Sequence, residues 1–313
     1  MAAADIPAFD GLRGGGKQAM ARALAAVEKY PEEPAVIGLL DAAWKAARAH
    51  VIGLTGPPGV GKSTLINALV QIWRSRGLSV GVIAVDPTSR KTGGALLGDR
   101  TRLNIDPEDD QVFVRSMAAR ARLGGLAALT IPAMVLMRAV FDIVLIETVG
   151  IGQSETDVAN VCDTVIFCVQ PGSGDSLQFM KAGIMEVPHI AVVTKSDLTA
   201  AARRARADIE GALGLAESPA GAWTVPVMLL SAARREGVEA LADAIERHRL
   251  WLAGTGEGGR MRALQARHWL EDSVREQFGL RGLQRAKQAL SAPSGLSPFR
   301  RAADISKSLE SRD

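Results

Sequence analysis

The stretch VIGLTGPPGVGKSTLINAL, residues 51–69, constrains this chain more than any other. An apolar run of strand character enters a glycine-rich loop, and a helix-forming run leaves it at once. Gly56, Gly61, Lys62 and Ser63 hold the spacing G-x-x-x-x-G-K-[S/T]. Glycines let successive backbone N–H groups turn inward as an anion nest, and the following helix adds positive partial charge at its N-terminus. A lysine then supplies a mobile cation for the outer phosphates, and a serine hydroxyl suits Mg²⁺. The candidate nucleotide contacts are therefore Gly56, Pro57, Pro58, Gly59, Val60, Gly61, Lys62, Ser63 and Thr64. A glycine-rich turn without function is the alternative, and the flanking strand and helix speak against it.

The rest of the chain agrees with the fold such a loop needs. Short apolar runs recur as VIGLT, SVGVIAVD, FDIVLIE, TVIFCVQ, HIAVVT and VPVMLLS, with helical stretches between them. Their lack of polar alternation predicts strands covered on both faces, and repeated βαβ units predict a mostly parallel sheet flanked by helices. The expected architecture is α/β of the P-loop nucleotide-triphosphatase kind over 51–252, an N-terminal helical segment over 1–50 and a C-terminal helical arm over 253–313. In that arm Ala266, Leu270, Val274 and Phe278 form an apolar stripe, and Ser297 with Pro298 opens a last helix.

In a parallel sheet the carboxyl ends of the strands share one edge, and the phosphate loop lies on it. Asp86 ends AVD and Glu147 ends LIE, so both carboxylates are expected near the metal or the attacking water; Ser63, Asp86 and Glu147 are the candidate metal ligands. Each could also be a plain solvated strand end. HIAVVT ends in Thr194-Lys195-Ser196-Asp197. Asp197 would accept from the ring N–H and exocyclic amine of guanine, whereas adenine would leave it desolvated and unpaired. Lys195 would lay its methylene stem over the base, and Thr194 offers one hydrogen bond in place of an amide. Downstream, Ser231, Ala232 and Ala233 end another strand where backbone N–H groups can meet the guanine carbonyl. GTP or GDP is thus expected, with Mg²⁺.

Other classes are disfavoured by composition. Aromatics are 4%, too few for stacking platforms on single-stranded nucleic acid. The chain holds 37 Lys/Arg against 34 Asp/Glu. Residues 253–313 carry 11 against 7, which leaves 26 against 27 elsewhere, so the excess positive charge belongs to the arm. Such an arm could meet nucleic acid or an acidic partner, but a solvated helical face is the better reading. Cys162 and Cys168, about 20 Å apart if their stretch is a strand, cannot pair. The four histidines lie in separate segments, with no metal-ligand spacing. The absence of a leader and of a long apolar run leads to the expectation of a cytoplasmic protein with neither membrane nor nucleic acid as partner.

GPPGVGKST, AVDPTS, GGALLGDRTRL, ETVGIGQSE, PGSGDSLQ, the Lys-x-Asp and the Ser-Ala element, in this order, resemble the MeaB-type (ArgK-type) GTPases over about residues 30–252. Members are metallochaperones of cobalamin-dependent acyl-CoA mutases, among them methylmalonyl-CoA mutase. The resemblance implies GTP hydrolysis that gates cofactor loading, protection or reactivation of such a mutase. It places Lys62, Asp86, Asp99, Glu147 and Gln153 in the catalytic machinery, Asp175 and Lys181 in a partner-sensing switch, and a homodimer contact in the C-terminal arm. Ser176, Ala182 and Thr194 depart from the usual Glu, Lys and Asn, which leaves open a mutase for another branched acyl-CoA. A P-loop kinase using ATP and a non-catalytic mutase-binding module stabilised by nucleotide are the alternative readings.

Overall fold

The computed structural model describes residues 6–87, 103, 106–119, 129–148, 158–172, 188–214, 221–292 and 294–311, in two compact units. The larger unit, His50–Thr130 with Phe141–Glu257, is built on a seven-stranded sheet. Its strands are β1 His50–Thr55, β2 Val80–Pro87, β3 Val112–Ala119, β4 Ile143–Glu147, β5 Thr164–Val169, β6 Ile190–Val193 and β7 Val227–Leu229. Their order is β3-β2-β4-β1-β5-β6-β7, and each neighbouring pair is parallel. Strand β1 is the switch point: the next strands lie to one side of it and β5 to β7 to the other. The loop that follows β1 therefore opens into the crevice at the carboxyl edge.

The six apolar runs appear as β1, β2, β4, β5, β6 and β7. Every residue of β1, β4, β5 and β6 is buried, which explains the missing polar alternation. Strand β3 was not expected from sequence. It stands at the sheet edge, and its centre holds the half-buried Arg115 and Ser116, so its apolar signal is broken.

Alternate side chains of β5 and β6 divide between two cores. Ile166, Cys168, Ile190 and Val192 join Leu65, Ile66 and Leu69 of helix α4 (Lys62–Ser75) and Leu241 and Ile245 of the helix Val238–Thr255. Phe167, Val169, Ala191 and Val193 meet Ala202, Ala205 and Ile209 of the helix Thr199–Leu213. This is the two-residue strand period with helices on both faces.

At the amino edge the sheet gathers three of the four histidines, which the sequence had left in separate segments. His50 and Thr164 open adjacent strands, and His189 precedes β6. The Thr164 hydroxyl lies 2.7 Å from both His50 Nε2 and His248 Nδ1, so it donates to one ring and accepts from the other. His189 Nδ1 accepts from the Val165 N–H at 3.0 Å, its carbonyl accepts from Trp223 Nε1 at 2.7 Å, and its ring stacks 4.4 Å from His248. Cys162 and Cys168 are both free and buried.

The smaller unit is helical. It contains α1 Phe9–Gly14, α2 Gly16–Lys29, α3 Pro34–Lys45, most of α5 Thr130–Val140, α8 Glu257–Arg285, α9 Lys287–Ser291 and α10 Pro298–Glu310; α6 and α7 are the two helices Thr199–Leu213 and Val238–Thr255 of the sheet unit. Helix α8 kinks at Gly279, where φ is 66°. Ser297 caps α10 by accepting from the Arg300 N–H, and Pro298 follows at the first turn, as the sequence predicts. Of the arm's apolar stripe, Leu270 and Val274 are covered by Ala286, Leu290, Ile305 and Leu309 of the same chain. Among the described residues no helix is long and apolar enough to cross a membrane.

Candidate functional site

The phosphate loop joins β1 to α4 through three glycines with positive φ, Gly56, Gly59 and Gly61, where a side chain would be strained. Gly56 has φ 138°, and a Cβ there would stand 2.1 Å from the Cys168 carbonyl oxygen of the neighbouring strand. Gly61 has φ 98° and caps α4 in the left-handed region. The close approach at Gly56 seats the loop on the carboxyl end of β5. Helix α4 begins at Lys62, so its first N–H groups face the loop.

Lys62 is buried, and its Nζ donates to the carbonyls of Gly56 at 2.7 Å and Pro57 at 3.1 Å. The ammonium is thereby held across the start of the loop, where an anionic oxygen would meet it. Ser63 Oγ donates to Glu147 Oε1 at 3.1 Å. Glu147 ends β4, in register with Leu54 of β1 and Ala84 of β2. Neighbouring ligand oxygens of an octahedral Mg²⁺ are about 3 Å apart, from metal–oxygen distances of about 2.1 Å. The two hard oxygens at the head of α4 therefore fit that ion. Asp86 lies two positions beyond Ala84 at the carboxyl end of adjacent β2; its carboxylate falls outside the described side chains, as do Asp99, Gln153, Asp175 and Lys181 altogether. Beneath the loop, burial pushes the Cys168 thiol up to about 12, with Lys62 pulling it down and Glu147 raising it. It stays an un-ionised thiol.

The second half of the site comes from the ends of β6 and β7. Thr194, Lys195 and Asp197 follow β6, and the Ser196 N–H donates to the Leu230 carbonyl at 3.0 Å. Asp197 is exposed, and Ser231 Oγ donates to its Oδ1 at 3.0 Å, which fixes one carboxylate oxygen and orients the other. Ser231 is itself buried and exchanges two backbone bonds with Glu236, closing a short loop. Within that loop no described group accepts from the N–H of Ala232 or Ala233. Lys195 has φ 51°, and its Nζ donates to Gly59 O at 3.1 Å and Gln170 Oε1 at 2.6 Å. Thr194 is buried, and its hydroxyl lies within bonding distance of Val60 O at 2.8 Å and Val169 O at 3.0 Å.

The fold thus brings together the loop, Glu147, Thr194, Lys195, Asp197 and Ser231, which the sequence had spread over more than 170 positions. Sequence reading missed three partners. Gln170 follows β5 at the same edge, and that position was the available signal. Ser231 was read for its backbone, not as the hydroxyl that holds Asp197. Thr148, next to Glu147, donates to Thr55 Oγ1 at 3.1 Å and through its N–H to Leu54 O, which fastens the chain just past the acid to the strand that feeds the loop.

Comparison with known proteins places this arrangement. The sequence profile of the family described as "Methylmalonyl Co-A mutase-associated GTPase MeaB" matches residues 20–287. A putative GTPase of Pyrococcus abyssi is 41% identical over 248 residues, covering 78% of this chain and 76% of that one. A probable GTPase of Mycobacterium tuberculosis is 40% identical over 282 residues, covering 87% and 84%. The mouse protein "Methylmalonic aciduria type A homolog, mitochondrial" is 37% identical over 228 residues, covering 72% of this chain and 55% of that one. Among solved structures, one titled as an LAO/AO transport system kinase superposes with a TM-score of 0.68 at 27% identity and covers 96% of each chain.

Proposed function

Because this chain belongs to the MeaB family of P-loop GTPases, we propose that it binds GTP with Mg²⁺ and hydrolyses it to gate cofactor loading, protection or reactivation of a cobalamin-dependent acyl-CoA mutase. The observation that carries the nucleotide part is the Asp197 carboxylate, held by Ser231 on the same edge as the Lys62–Ser63 loop. A carboxylate acceptor for a base edge and a cationic nest for phosphates are then parts of one crevice. The mutase part rests on the family description and on the name of the mouse relative.

The residues divide the work by chemistry. Backbone N–H groups of the loop and the head of α4 bind the phosphate oxygens, and Lys62 offsets the charge that gathers on them as the outer bond breaks. Ser63 and Glu147 would hold Mg²⁺, either directly or through water at the longer acid, with Asp86 at the next strand end. Bound there, the ion would neutralise phosphate charge. Thr148 keeps Glu147 in place through its two bonds to β1. A homodimer through the 253–313 arm, which the resemblance implies, would use a surface other than the Leu270 and Val274 stripe.

The kinase title of one relative favours a second reading, phosphoryl transfer from ATP. Asp197 opposes it, since an adenine edge would leave that carboxylate facing a lone pair. Calorimetric titration with GTP and ATP, followed by GTP turnover with candidate mutases added singly, tests both. Tight GTP binding and faster turnover beside one mutase are expected. ATP uptake with indifference to guanosine nucleotides would end the proposal. Lys62→Ala should abolish rescue of an inactivated mutase; rescue that survives would favour a purely binding role.

A further inference from the structure

The buried Thr194 and its neighbour Lys195 grip the phosphate loop from the side of β6. Thr194 Oγ1 meets the Val60 carbonyl at 2.8 Å, and Lys195 Nζ meets the Gly59 carbonyl at 3.1 Å. In a trans peptide the carbonyl and the N–H point opposite ways, and no peptide bond here is cis. Catching the carbonyls of Gly59 and Val60 on the β6 side turns the N–H groups of Val60 and Gly61 away from β6. These are the two consecutive donors an anion nest needs.

The same bonds decide what Thr194 can say to a base. A threonine hydroxyl owns one proton. Here two carbonyl oxygens, Val60 O and Val169 O, compete for it, and the backbone N–H of Thr194 is taken by Val169 O at 2.8 Å. The residue is 3% exposed. Purine N7 is an acceptor and needs a donor, so a hydroxyl committed in this way cannot serve it. An asparagine amide, by contrast, has two N–H donors and an oxygen, enough to hold the loop and reach a base together. Lys195 Nζ gives two of its three N–H groups to Gly59 and Gln170.

We propose that Thr194 is a positioning residue that braces the phosphate loop and leaves guanine N7 unread, so that base choice rests on Asp197. The inference builds on the guanine reading above and deepens it. Three consequences distinguish it from a Thr194 that reads the base. An analogue without N7 binds like the natural nucleotide. Loss of the hydroxyl weakens every nucleotide by a common factor, since it loosens the phosphate seat and not the base edge. An asparagine in its place, with a free N–H donor, introduces sensitivity to N7.

The test measures dissociation constants of the full chain with Mg²⁺ for GDP, 7-deaza-GDP, IDP and ADP, in wild type, Thr194→Val and Thr194→Asn. In wild type, 7-deaza-GDP is expected within about threefold of GDP, whereas IDP, lacking the amine that Asp197 accepts, binds at least about tenfold more weakly. Thr194→Val should weaken GDP and 7-deaza-GDP alike, by about tenfold. Thr194→Asn should open a gap between these two ligands. A wild type that prefers GDP to ADP yet loses tenfold or more with 7-deaza-GDP overturns the inference alone. Equal binding of ADP and GDP overturns the guanine reading and this inference with it. A Thr194→Val protein with unchanged affinities removes the brace. Thermal melts check that the variants fold, and the wild-type analogue series stands without them.

Discussion

Lowering the pH from 8 to 5 is expected to strip stability from the sheet unit through the histidines at its amino edge. Burial holds His189 at about 4 and His248 at about 3, against 6.5 for an unperturbed imidazole, with nearby imidazoles adding to each shift. The contacts agree: protonating His189 Nδ1 would break its bond from the Val165 N–H, and His248 Nε2 has no acceptor among the described residues. Proton counting sets the sign. Above about pH 6.5 neither folded nor unfolded chain binds these protons, and stability is full. Below it the unfolded chain takes up two protons that the folded chain refuses. Stability therefore falls with pH, levelling off only once the folded values near 4 and 3 are passed. At pH 5 the linkage amounts to about 2 kcal/mol per residue, or about 3–4 kcal/mol for both after discounting the partial exposure of His189. Domains are stable by only about 5–15 kcal/mol, so the effect is large. Urea unfolding followed by far-ultraviolet circular dichroism at pH 8, 7, 6 and 5 measures it. His248→Phe should keep the stacking on Trp251 and start less stable at pH 8, because Thr164 loses a partner. Between pH 8 and 5 it should then lose about 2 kcal/mol less than wild type. Parallel declines in the two proteins would refute the reasoning.

Three further outcomes follow from the site. Asp197→Asn should cost GTP about a hundredfold in affinity and shift preference toward xanthosine triphosphate, because the new amide donates where the carboxylate accepted; competition binding reads this, and unchanged GTP affinity would remove the role given to Asp197. Gly56→Ala would place a Cβ 2.1 Å from the Cys168 carbonyl, so calorimetry should show a loss on the order of 2–4 kcal/mol together with weaker nucleotide binding. Glu147→Gln keeps the shape and removes the charge, so the Mg²⁺ concentration for half-maximal GTP turnover should rise about tenfold while metal-free GDP binding stays put.

The legible parts of this protein were those whose chemistry is local. The phosphate loop announces itself because strand, nest and helix head are consecutive in the chain. Strands β1, β4, β5 and β6 are legible because burial on both faces demands unbroken apolar runs, and the Ser297–Pro298 cap because it is satisfied within three residues. Strand β3 escaped for the converse reason. At a sheet edge, Arg115 and Ser116 need not be apolar, and its pairing with β2 is set by distant residues.

Only the tertiary structure decided which side chains meet. His50, Thr164 and His189 share an edge because parallel register aligns the beginnings of three strands, and register is a property of the sheet. The Leu270 and Val274 stripe is covered by helices that the sequence could not assign to it. Thr194 makes the point most directly. Sequence placed it in a base-reading element, but its one proton is taken by the carbonyls of Val60 and Val169, residues 134 and 25 positions away. A residue's identity fixes how many hydrogen bonds it can make; the packing around it decides who receives them.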